Sequence, residues 1–159
     1  MLNSSLKTGL SFGLTSGIIT TLGLLVGLAA GTSSRLAVLG GILTIALADA
    51  FSDALGIHIS EETENVHTPG EIWQSTFATF FSKFFFALTF AIPVLLLDLK
   101  TAVIISVVWG FLVLVVTNFL VARSGKVAPW KVIGEHLLIA AVVVVASYFV
   151  GNLISAFLD

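Results

Sequence analysis

Residues 46–55 read ALADAFSDAL, two aspartates one helical turn apart in a run that is otherwise apolar or small. Nothing basic occurs between Arg35 and Lys83 to neutralise Asp49 and Asp53 along the chain. Whether this stretch faces water or lipid decides the fold, and the rest of the chain answers. Of the 159 residues, 57% are hydrophobic and 10% are charged, and the mean hydropathy is +1.11. A soluble domain carries about 25% charged residues. This chain cannot cover a water-facing surface, so it reads as an integral membrane protein. Both aspartates therefore lie in a membrane span, where a charged Asp at the helix centre costs about 3 kcal/mol.

A bilayer core of about 30 Å takes roughly 20 apolar residues per helix. Five stretches qualify, residues 10–30, 36–57, 77–97, 101–121 and 132–157. They are continuous apolar runs without strand alternation, so the expected fold is an all-α bundle of five transmembrane helices in one domain. The segment MLNSSLKTGLSFG holds one Lys and leads into a retained span, not a cleaved signal peptide. Five spans put the two ends on opposite sides. Lys7, Arg123, Lys126 and Lys131 gather on the side of residue 1, against Arg35 and Lys100 on the other. Basic excess marks the cytosolic side, so the N-terminus and a loop at 58–70 are expected there, with Trp73 and Trp130 at that interface. Pro93 is expected to kink or end the third span.

The first span spaces its glycines by four: Gly9, Gly13 and Gly17, then Gly23, Gly27 and Gly31. Each set makes a small-residue groove. One groove suits a neighbouring helix and the other a second copy of the protein, or both serve packing within one chain. Ser16 and Thr20 share a face, which either lines a polar path or bonds back to helix carbonyls.

Six of the nine acidic residues lie between positions 49 and 71, with His58 and His67 among them. Carboxylate oxygen and imidazole nitrogen suit Mn²⁺, Fe²⁺ or Zn²⁺. If the second helix leaves the bilayer near Ile57, Asp53 lies roughly 6 Å below that end and Asp49 roughly 12 Å. At i, i+4 both point from one face. Two like charges so placed repel, and the pair is poised to exchange protons for a divalent cation. The expected metal set is Asp49, Asp53, His58, Glu61, Glu62 and Glu64, with Asp49 and Asp53 also coupling protons. Ser16, Thr20 and Lys83 line the path. Lys83, in FFSKFFF (80–86), either pairs with one of the aspartates or snorkels to the interface. Alternatively, the acids merely join helices, or the stretch HISEETENVHTPGE (58–71) is an ordinary solvated turn. No nucleotide loop, HExxH or GxSxG occurs, and i, i+4 aspartates cannot face each other across a scissile bond, so no enzyme is expected.

Four stretches together resemble the vacuolar iron transporter family, which includes the yeast calcium-cross-complementer type. FGLTSGIITTLGLLVGLAAG (12–31) is similar to its first helix, and ALADAFSDALGIHISEE (46–62) to its second. FAIPVLLL (90–97) is similar to part of the third, and ARSGKVAPWKVIGEHLLIAAVVVVASYFVG (122–151) to the last loop and helix. The resemblance implies a homodimer with its ion path near the first two helices. It also implies Fe²⁺ or Mn²⁺ export from the cytosol in exchange for protons, with no permanently bound cofactor. The membrane would be the plasma membrane of a prokaryote or a vacuole-like organelle of a eukaryote. Asp53 falls on the family's second-helix glutamate, Asp49 on its methionine, and Ser16 on its first-helix aspartate. The family's cytosolic metal-binding insert is absent. Loss of the methionine sulfur shifts the preference toward harder cations such as Mn²⁺. Remaining alternatives are a proton-coupled carrier or channel for another substrate, and a non-transporting assembly or metal-sensing subunit.

Overall fold

The computed structural model describes residues 4–123 and 128–158. Lys126, counted above for orientation, lies outside the described residues. Five helices are long and apolar enough to cross a membrane: α1 (Ser4–Thr32), α2 (Arg35–Glu64), α3 (Pro69–Leu96), α4 (Leu99–Arg123) and α5 (Pro129–Phe157). No strand occurs among the described residues. All five expected spans are present, each extended into the interface by polar residues that an apolar window leaves out.

The α2–α3 link is short because the helix ends that flank it carry their own signals. Asn65 adopts the left-handed conformation (φ 54°) that ends α2. Thr68 then opens α3 with a capping box: its hydroxyl accepts from the Glu71 amide while Glu71 Oε2 accepts from the Thr68 amide. The expected 58–70 loop is therefore corrected. Residues 58–64 continue the helix, and only Asn65–Thr68 connects. On the opposite side Ser34 caps α2, and Arg35 Nη2 donates to the Leu97 carbonyl at the end of α3 at 2.5 Å. Within α3 the regular helix stops at Thr89 and resumes at Ala91. Pro93 has no amide to donate to the Thr89 carbonyl and its ring crowds that group, so the break falls one turn before the proline.

α1 is the central helix, wedged between α3 and α5 by its two glycine rows. A Cβ on Gly9 would stand 2.8 Å from Ser75 Cα, and one on Gly17 would stand 3.0 Å from Lys83 Cγ. In the second row, a Cβ on Gly23 would stand 2.7 Å from Val143, and Gly27 faces Ser147. Within one chain Gly13 and Gly17 thus seat α3 and Gly23 and Gly27 face α5, while an open cleft lined by Gly27, Gly31, Ser147 and Gly151 remains along the second row.

The interior is unequal along the bundle axis. Near the α1–α2 link it is apolar, with Leu22, Leu25, Val38, Ile42, Phe90 and Val94 buried together. Toward the start of α1 the buried residues of α1–α3 include Ser5, Glu61, Ser75, Thr76, Thr79 and Ser82. Lys83 sits where the two halves meet.

Candidate functional site

Three helices bring four polar side chains together about halfway along their lengths: Ser16 of α1, Asp49 and Asp53 of α2, and Lys83 of α3. Lys83 is fully buried, against side-chain exposures of 35% for Asp49 and 19% for Asp53. Its Nζ lies 2.5 Å from Asp53 Oδ2, to which it donates, and 3.0 Å from Ser16 Oγ. Ser16 in turn donates to Asp53 Oδ2 at 2.6 Å. Nζ is also 2.5 Å from Asp49 Oδ2, but off the line of a hydrogen bond. Asp53 is thus held by charge and two hydrogen bonds, and Asp49 by charge alone.

The local sequence explains the arrangement. Gly17 lacks a side chain where α3 passes, which lets the Lys83 stem lie against α1. The i, i+4 spacing of the aspartates puts both carboxylates within reach of one ammonium. Of the two readings for Lys83, pairing is the one observed, and it pairs with both aspartates. Snorkelling is ruled out by its burial.

The other expected ligands lie elsewhere. Glu61, 4% exposed, accepts from Ser75 Oγ at 2.8 Å, about 12 Å along the helix from Asp53. His58 Nδ1 is 2.9 Å from Thr76 Oγ1, and its ring meets Trp73 edge-on. Glu62 and Glu64 are exposed. Among the described residues no group of three or more His, Asp or Glu stands close enough to hold a metal ion. The six-residue metal set is therefore not assembled. What is assembled is a pair of carboxylates with a hydroxyl and an ammonium. Thr20 bonds back to the Ser16 carbonyl at 2.8 Å, the second of its two readings. His67, not among the expected ligands, has its Nδ1 3.1 Å from Ser5 Oγ.

Sequence reasoning missed the polar seam between α1 and α3. Thr79 donates to the Gly9 carbonyl at 3.2 Å, and Ser82 to the Thr79 carbonyl. The signal was present as hydroxyl residues recurring at three and four positions, Ser75, Thr76, Thr79 and Ser82, opposite the first glycine row. No protein-family model and no curated protein matches the chain. The resemblance described above rests on the quoted motifs.

Proposed function

We propose that this chain is a cation–proton exchanger, with Asp49 and Asp53 as the exchange site and Lys83 as the built-in cation that occupies it without cargo. The observation carrying this reading is the fully buried ammonium bridging both carboxylates halfway along the helices. Apolar residues of similar volume would pack there at lower cost, so an ionic cluster at that depth points to a function. The charge count supports exchange. Two carboxylates and one ammonium leave one negative charge, which a proton or a single cationic charge cancels. A divalent cargo matches both carboxylates and requires the ammonium to withdraw or give up a proton. Cation entry is coupled to proton release where the cation displaces a proton held on the carboxylates or where the ammonium gives one up.

For a divalent cargo, the all-oxygen donors favour Mn²⁺ over softer ions, with Fe²⁺ next. The excess of basic residues on the side of residue 1 supports a cytosolic N-terminus and export from the cytosol. A homodimer is implied by the resemblance, and the open cleft along Gly27 and Gly31 is one surface it could use. A second reading is favoured by one observation: the seat already holds an ammonium. On that reading the cargo is an ammonium-like or monovalent cation instead of a metal.

Purified protein in liposomes under an imposed pH gradient tests both. Mn²⁺-driven proton movement that Asp53→Asn abolishes supports the first reading. Proton movement driven by methylammonium or Na⁺, but not by Mn²⁺ or Fe²⁺, supports the second. Folded protein that moves no protons with any of these cations would sink cation–proton exchange.

A further inference from the structure

α2 carries a surplus residue where its acids begin. Between Ile45 and Asp49 the backbone widens into a π turn, and the Ala50 amide donates to the Ile45 carbonyl five residues back. Residues of an α-helix advance by about 100° each, so one surplus residue turns everything after it by about 100° relative to everything before it. Single π turns are rare and concentrate at functional sites.

The effect can be read from burial. Val38, Ile42 and Ile45 before the turn, and Ala50, Ala54 and Glu61 after it, are all buried. Continued at about 100° per residue without the extra residue, the face of Val38 and Ile42 would instead receive Asp49, Asp53, Gly56 and Ser60. Ala50, Ala54 and Glu61 would turn out of it. In the structure the two aspartates stand at the flank of the buried face and reach Lys83 from the side. Gly56 and Ser60 are exposed, and nothing lies within 4 Å of where a Gly56 Cβ would be. Each face of this half-helix thus carries two small residues, Ala50 and Ala54 on one and Gly56 and Ser60 on the other, beside its acidic side chains. At the small positions either face can approach α1 and α3 closely.

We infer that the π turn is a two-position swivel. In the position observed, the carboxylates stand partly exposed at the flank. Relaxation of the turn to α-helix rotates residues 49–64 by about 100°. That rotation carries both carboxylates into the packed centre of α1–α3 and breaks their present contacts with Lys83. The purpose of the motion, alternation between an accessible and an occluded site, rests on the exchange reading. The rotation itself does not.

The chain has no cysteine, so spin labels can be placed at will. Ile59→Cys and Leu120→Cys put labels on exposed positions of α2 and α4. A turn of about 100° moves a label on the helix surface by on the order of 10 Å. Three proteins are compared: the labelled parent, the same chain with exposed Ala48 deleted, and the Asp49→Asn/Asp53→Asn/Lys83→Met variant. Deleting Ala48 removes the surplus residue and keeps both flanks on their present faces. The swivel requires two distance populations in the parent. The second grows in the neutral variant and vanishes on deletion. One unshifted distance in all three proteins overturns the proposal, as does a second population that survives the deletion. Should the deletion variant fail to fold, a second population absent from the parent and the neutral variant overturns it equally. Two populations in a protein that moves no protons would defeat the exchange reading and leave the swivel standing.

Discussion

Lys83 is the residue on which the site depends. Replacing it with Met leaves two half-buried carboxylates without a counter-charge. Breaking a buried ion pair from one side costs about 3–5 kcal/mol. Lys83→Met should therefore unfold at a markedly lower temperature in detergent. Adding Asp49→Asn and Asp53→Asn should restore most of that loss, since a neutral cluster has nothing to compensate. The restored protein should show no proton movement in liposomes. A triple variant that still exchanged cations for protons would remove these residues from the mechanism. At this scale the sequence announced the participants but not the geometry. Two aspartates in an apolar run and one lysine among phenylalanines were visible as costs. That one ammonium serves both carboxylates depends on where α3 crosses α1 and α2, which no local pattern encodes. The glutamates misled for the complementary reason. Proximity along a helix is not proximity in space when residues at 58, 61, 62 and 64 point in different directions around it.

Among the elements, α1 and α3 approach so closely that a single methyl is felt. A Cβ at Gly13 would fall 3.0 Å from Thr79 Cα, and closer to the Thr79 carbonyl and Ser82 Oγ. Gly13→Ala should cost about 1–3 kcal/mol through this overpacking. At Gly40 an added Cβ meets nothing within 4 Å. There, Gly40→Ala should be neutral or gain up to about 1 kcal/mol in helix propensity. Equal effects of the two substitutions on thermal unfolding would contradict the packing described.

A second test at this scale concerns the start of α4. The Asp98 carboxylate accepts from the Thr101 amide at 3.0 Å, and this bond holds its pKa below the ordinary carboxylate value. A lowered folded value means stability that is present above the unfolded pKa and is lost as pH falls through the folded one. The parent should lose this contribution on acidification, whereas Asp98→Asn should lack that part of the pH dependence. Melting curves recorded from neutral to acid pH compare them. The five helices were legible because apolar runs of membrane length leave little choice. The π turn was not, because a surplus residue in a helix changes facing without changing composition.

Across the whole molecule, sidedness is the property that unites fold and site. The interior is apolar from the cluster toward the α1–α2 link and rich in hydroxyls from the cluster toward the α2–α3 link. Ile42, Phe90 and Leu22 close the apolar half, while Asp49 and Asp53 keep partial exposure at its edge. The orientation of the bundle determines which compartment its hydroxyl-rich half faces. The basic residues Lys7, Arg123 and Lys131 stand at the same end as the α2–α3 link, and Arg35 and Lys100 at the other. Positive charge is retained in the cytosol. Glu64→Cys near the α2–α3 link and Lys100→Cys at the start of α4 therefore report opposite faces in an otherwise cysteine-free chain. In intact cells, or in vesicles of known sidedness, a membrane-impermeant thiol reagent should reach Lys100→Cys from the non-cytosolic side. It should reach Glu64→Cys only after permeabilisation. The reverse pattern would invert the bundle and count against the proposed export from the cytosol, because the hydroxyl-rich half would then face the outer compartment. Labelling of both cysteines from one side would place the two links on a single face, which five crossings of the membrane do not allow.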